Sequence, residues 1–492
     1  MDIPSDLLEP GKMVAPADLA NVLCRALCTS LGEQKVALSG TNAYNSSVES
    51  YFSQQQQALQ PACIVFPETT EDVSVIIKTL TSHQGGQSNF AIRSGGHASW
   101  LGASNIAGGV VIDLQGLNLL DVHDDRSTIS VGAGVSWDEV YARLDPIGLS
   151  ANGGRCAEVG VSGLTLGSGL SFFSPRYGWT CDTATNFELV LADASIVQVN
   201  AESDPELFRA LKGGSNNFGV VTRIDFTTFK QGSMWYGAIY HPLDVADDVI
   251  SELVKICSAD VYDEYSSIIT SFGYSQEQGM SAVANTLVYT KEVESPPVYQ
   301  GLLSLPSFMN TSQLSNMTTL SKVTRNLSPE HPRSLNRVTT LLLDTEVIKA
   351  AVARWNASLS GLSDVTNLVW SFTLEPLPPA IYSRHAKSNA LGLAEGSRTL
   401  VVALISVTWT DASHDEIVTG AAKKLIDDIN NDAQQLGGFN PYIFLNYADQ
   451  DQDVIGSYGT ASVSQLQAVQ ERVDPSRVFT NQVPGGYKVP QK

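Results

Sequence analysis

Positive charge is scarce in this chain: 30 Lys and Arg stand against 51 Asp and Glu, a formal net charge of -21 over 492 residues. Binding to nucleic acid depends on clustered cations, so that balance excludes it. Long apolar runs are absent too. The most apolar stretch, Leu400–Trp409, is about half the ~20 residues that a membrane-crossing helix requires and reads as a buried strand. Cysteine is sparse, at positions 24, 28, 63, 156, 181 and 257. With no Cys-x-x-Cys pair and no histidine cluster at ligand spacing, no metal site is expected. Also missing are the Gly-x-Gly-x-x-Gly fingerprint, the P-loop and the Gly-x-Ser-x-Gly elbow, which removes the main support for a Rossmann dinucleotide fold, a nucleotide triphosphatase or a serine hydrolase. The first ten residues have neither a basic region nor a continuous apolar one, so no signal peptide is visible and the chain is expected to stay inside the cell. Sequons at Asn45, Asn310, Asn316, Asn326 and Asn356 point the other way, toward secretion.

What is present is a chain of two or more domains by length, with 43% hydrophobic and 16% charged residues, an ordinary globular balance. Helical spacing of Leu19, Val22, Leu23, Ala26 and Leu27 predicts an opening helix, on which Cys24 and Cys28 read as small apolar residues of a buried face. Strands are predicted at residues 62–66, 90–93, 110–114 and 129–131. They alternate with a helix bearing Val73, Ile76, Ile77 and Leu80 on one face, and with a helix over 137–144 opened by the capping box of Ser136 and Glu139. Residues 187–191 and 196–199 predict a hairpin, and 220–226 a strand. Beyond about residue 230 glycine clusters stop, and longer strands (267–274, 281–289) and helices (246–257, 414–436) predict a second domain. The tail is expected to hold a strand near 443–447 and to return to the first domain.

Glycine collects in separate loops that follow strands, above all in Arg93-Ser94-Gly95-Gly96-His97 and in the stretch from Gly154 through Arg155, Cys156, Val159, Gly160, Ser162 and Gly163 to Gly167 and Gly169. Each loop joins small residues to one nucleophilic side chain. Glycine allows close approach of backbone to a bulky ligand, and successive amides can form a nest for phosphate oxygens.

These residues resemble the signature of the FAD-linked oxidoreductases of the vanillyl-alcohol-oxidase fold, and within them the berberine-bridge-enzyme-like branch, with fungal members most similar. The resemblance is near-continuous over residues 57–229 and intermittent beyond. It implies an α+β fold: a two-part PCMH-type FAD-binding domain (residues 1–229), an α+β substrate domain with an antiparallel sheet and helices (230–445), and a C-terminal segment returning to the FAD domain (446–492). Arg93, Ser94, Gly95, Gly96 and Gly102 match the pyrophosphate loop. Val159, Gly160, Gly163 and Gly167 match the second cofactor loop, and Val221 follows a third match at 213–221. His97 matches the histidine bonded to the flavin 8α-methyl and Cys156 the cysteine bonded to C6, so the resemblance implies a bicovalent FAD. Imidazole and thiolate are both competent nucleophiles.

By the same resemblance, hydride leaves an alcohol or activated C–H of a small natural product for flavin N5, and O2 then takes the electrons as hydrogen peroxide. Tyr447 is the candidate base, provided that its pKa is lowered. Phe444 replaces the first tyrosine of the family's Tyr-x-Asn-Tyr signature. Val159 stands where a valine goes with an open oxygen path and an oxidase. Two other readings fit the same residues: a carbohydrate oxidase of the same fold, and a flavin-holding cyclase or binding protein without redox work. Oligomeric state and substrate are not legible, and Trp235, Tyr236, Trp370, Phe372 and Trp409 read as core rather than as contact surface.

Overall fold

The computed structural model describes residues 16–82, 89–258, 262–393 and 396–491. The ten-residue N-terminus discussed above lies outside them. The opening helix is Pro16–Leu31, and the helix Thr70–Thr81 buries Val73, Ile76, Ile77 and Leu80 as its periodicity requires. Thr69 and Asp72 form its capping box, as Ser136 and Glu139 do for Trp137–Leu144.

Three sheets organise the described residues. The first has four strands: Phe90–Arg93 and Cys63–Val65 flank Val110–Asp113 in parallel, and Val36–Leu38 adds an antiparallel edge. The second has six strands around Val220–Lys230, including the hairpin Ala184–Val190 with Ile196–Val199. The third has nine antiparallel strands drawn from the chain between Met234 and Asn440. Leu400–Trp409 is central there, paired with Arg333–Leu342 on one side and Val369–Leu377 on the other. Burial on both faces explains its continuous apolar run. Trp235, Tyr236, Trp370, Phe372 and Trp409 are all core.

Two expectations are corrected. Residues 443–447 form no strand: Leu445–Tyr447 is a short helical turn, and its surroundings face a cavity rather than a ladder. Beyond it the tail returns to the first sheet, where Val478, Phe479 and Val483 join the core and Gln482 O accepts from Phe90 N at 2.7 Å. Cys24 is not a mere apolar filler, for it is disulfide-bonded to Cys63, 39 residues on. The bond ties the opening helix to the first sheet and, for a loop of this size, stabilises by about 4 kcal/mol in the chain-entropy account. Periodicity marks both cysteines as buried but holds no information about which partner each one faces.

Among the described residues no group of three His, Cys, Asp or Glu side chains stands together as a metal site, and no helix is long and apolar enough to cross a membrane.

Candidate active site

Where the three sheets converge lies a cavity of about 460 Å³, within the range of small-molecule and cofactor sites. It is lined by the two glycine-rich stretches, by Val220 and Val221, by the tail residues Phe444, Asn446 and Tyr447, and by Ile269, Thr324, Asn336 and Glu375 from the third sheet's part of the chain.

The two glycine loops cross in contact. A Cβ on Gly95 would lie 2.5 Å from Gly160 N, and one on Gly160 would lie 2.4 Å from Gly95 N. Serines tie the crossing together: Ser94 Oγ donates to Ala133 O at 2.6 Å and Ser162 Oγ to the same carbonyl at 3.3 Å. A methyl built at Gly163, by contrast, meets no protein atom, so there the cavity reaches bare backbone. Gly167 abuts Asn446, whose amide donates to Leu164 O at 3.1 Å and accepts from Gly169 N at 3.0 Å. That pins the tail to the second loop.

His97 and Cys156 both line the cavity. The imidazole stacks on Phe52 at 4.3 Å, and its buried Nε2 has no hydrogen-bond partner. Burial first, then the nearby Arg325, hold His97 down at about 4, so the ring is neutral at pH 7. Cys156 is a free thiol, pushed up to about 11 chiefly by burial. A half-buried imidazole whose buried Nε2 lacks a partner, a free thiol and the bare backbone at Gly163 fit a large planar cofactor.

Ser94, Gly95, Gly96, Val159, Gly160, Gly163, Gly167 and Val221 also line the cavity, but Arg93 and Gly102 do not. The Arg93 guanidinium is buried away from it, over the Tyr51 ring at 3.9 Å, 3.5 Å from Asp113 and donating to Ser47 O and Ser50 Oγ. Its work is to brace the strand end that carries Ser94. Gly102, at φ 84, makes a turn whose amide donates to Gln56 Oε1.

Tyr447 lies in a polar cluster that composition and spacing miss. Its hydroxyl donates to Glu375 Oε1 at 3.0 Å and is in short contact with Arg155 Nη2. Arg155 Nη2 also donates to both Glu375 oxygens, at 3.0 and 2.8 Å. Burial raises the Tyr447 pKa above the ordinary phenol value, with Arg155 opposing and Glu375 reinforcing the rise. Tyr447 is therefore held as a phenol at neutral pH, and its surroundings do not supply the lowered pKa that acting alone as a base would require. Its neighbour Glu375 is the proton acceptor at hand. The signal available was weak but real: Glu375 is the one charged residue of the strand Val369–Leu377, and an arginine stands directly before Cys156. Phe444, in place of a second phenol, stacks on Trp179 at 5.6 Å and sets its edge to Tyr447 at 4.9 Å, so a hydroxyl is exchanged for packing.

Comparison with known proteins is consistent with this site. A family model described as an FAD binding domain matches residues 61–200. Over 492 residues the chain is 48% identical to a protein of Diaporthe leptostromiformis named oligopeptidase PhomG', covering 99% of this chain and only 39% of that relative's length. It is 34% identical to the FAD-dependent monooxygenase sdcF of Emericella nidulans, covering 96% of this chain and 99% of that one. A structure of berberine bridge enzyme in complex with (S)-reticuline superposes with a TM-score of 0.76 at 17% identity, covering 95% of this chain and 99% of that one.

Proposed function

We propose that this chain, which belongs to the FAD-binding oxidoreductases and shares the fold of berberine bridge enzyme, is an oxidase of an alcohol or activated C–H on a small natural product, with FAD bonded through His97 and Cys156. Bound there, FAD would take a hydride from the substrate and hand both electrons to O2, releasing hydrogen peroxide.

The chain's own residues do the rest. The crossing of Gly95 and Gly160 and the bare backbone at Gly163 would let the cofactor lie against the main chain, and the Cys156 sulfur and the His97 imidazole would hold its ring. Arg155 holds Glu375 and Tyr447 in one hydrogen-bonded unit. As a substrate hydroxyl gives its proton to the Tyr447 oxygen, the phenol proton moves to Glu375 Oε1, 3.0 Å away. The single observation that carries this reading is that Arg155–Glu375–Tyr447 cluster, set on the same cavity as His97 and Cys156.

Ile269, Phe444 and Leu445 line the cavity beside the Arg155, Glu375 and Tyr447 cluster, and such an apolar patch with a few convergent polar groups suits a natural product of apolar body. The name of the Emericella relative, a monooxygenase, raises a second outcome, transfer of one oxygen atom from O2 into the product. Val159, which the family resemblance associates with an oxidase, lines the cavity. Candidate alcohols scored by anaerobic loss of flavin colour, followed by turnover in labelled O2, decide between them. One peroxide per product and unlabelled product are expected. Labelled product without peroxide would replace oxidase by monooxygenase, and failure of every substrate to bleach the flavin would favour a non-redox role.

A further inference from the structure

We propose that Arg325, supplied by the substrate half of the chain, is the positioning residue that prepares Cys156 for bonding to the flavin. This rests on the covalent reading above and goes beyond it, since it gives the second half of the chain a part in installing the cofactor.

The helix Met317–Arg325 is moored to the loop that carries Cys156. Ala157 N donates to Ser321 O at 3.0 Å, while Thr318 donates to Asp145 Oδ2 through its amide (2.8 Å) and its hydroxyl (2.6 Å). At the end of that helix Arg325 Nε meets Glu158 Oε2 at 2.5 Å, and its guanidinium lies 6.0 Å from the Phe52 ring, whose other neighbour is His97 at 4.3 Å. Thr324, one residue before, lines the cavity. One cation thus stands beside both residues of the attachment corner.

A positive charge acts on the two in the same useful direction, because it disfavours imidazolium and favours thiolate. Neutral imidazole and thiolate are the nucleophilic forms. Burial alone already keeps His97 neutral but works against Cys156, so the thiol is where the charge matters. The groups acting on Cys156 are burial, then Arg325 and Arg155, which favour thiolate, against Glu158 and Asp138, which oppose it. Arg155 is paired with Glu375 and Tyr447 and Arg325 with Glu158; of the two cations Arg325 acts the more strongly on Cys156.

Attachment itself balances simply. The sulfur replaces one hydrogen of the flavin ring, the thiol proton and that hydrogen leave as two protons, and the two electrons released reduce one O2 to hydrogen peroxide.

The test uses the full chain produced under flavin limitation, then given FAD in air, with the peptides carrying Cys156 and His97 followed by mass. Arg325→Met should slow flavin bonding to the Cys156 peptide roughly tenfold at pH 7.5, the effect of about one unit in thiol pKa. Bonding at His97 should be unchanged. Raising the pH by about one unit should restore the Cys156 rate, and Arg325→Lys should retain most of it. Glu158→Gln breaks the same ion pair but removes the opposing charge, so it should bond at least as fast as the unaltered chain. Equal slowing in Arg325→Met and Glu158→Gln, or a deficit that pH does not repair, would mark a structural pair and overturn the proposal. Normal bonding in Arg325→Met would overturn it too. An unaltered chain that yields no flavin-bearing Cys156 peptide would overturn the covalent reading itself, and this inference with it.

Discussion

Anaerobic flavin reduction by substrate is expected to slow by about 10²- to 10³-fold in Glu375→Gln, in line with the loss of a general base. The amide keeps the shape of the carboxylate but cannot take the proton that the Tyr447 hydroxyl directs at Oε1 over 3.0 Å. Tyr447→Phe should fall into the same range, because its oxygen would be the first acceptor of the substrate proton and burial keeps it a phenol that needs an acceptor behind it. If the two act as one relay, the double variant should lose little more than either single one. Glu375 also balances the buried Arg155, and removing one partner of such a pair can cost about 3–5 kcal/mol of stability. Thermal melts must therefore accompany the kinetics. A reduction rate within about threefold of the unaltered protein in both variants, with flavin bound, would remove this cluster from the chemistry.

Gly95→Val is expected to give no flavin-loaded protein and a destabilisation of about 3 kcal/mol or more, at the upper end of overpacking costs. The reason is contact, not backbone freedom. The new Cβ would meet Gly160 N at 2.5 Å and Gly160 Cα at 2.8 Å, and backbone cannot rotate aside as a flexible side chain can. The Gly160 loop is itself fixed, since its neighbour Val161 N donates to Val135 O at 2.9 Å and Val159 O accepts from Trp137 N at 3.0 Å. Separation of the loops would open the cavity wall on the side that carries Cys156. Gly163→Ala is the contrasting variant: its methyl meets no protein atom, so it should fold normally and lose affinity for FAD only. Equal flavin content and equal melting temperature in Gly95→Val would contradict the crossed-loop account.

Local rules were enough to read the helices and strands of the first half, because capping boxes, alternation and glycine punctuation act over a few residues. Thr69 with Asp72, Ser136 with Glu139, and the apolar face Val73, Ile76, Ile77 and Leu80 all stand as read. The site was legible where it lies on such punctuation, which is why His97 and Cys156 stood out. The pairing of Glu375 with Arg155 was not legible, because it is a contact spanning 220 residues of sequence, which no local pattern encodes. Arg93 misled for the complementary reason. It sits beside Ser94 in sequence, yet the side chains of a strand alternate between faces, and this one points into the Tyr51 and Asp113 packing rather than toward the ligand. The strand expected at 443–447 failed similarly, since an apolar and aromatic run lining a cavity reads like one lining a sheet.

The most direct test of the central claim is flavin retention after denaturation. The unaltered protein should stay yellow and keep the flavin mass on its chain. His97→Ala and Cys156→Ala should each still retain flavin through the remaining bond, and only the double variant should release it. Release of all flavin from the unaltered protein would contradict the roles given to both residues.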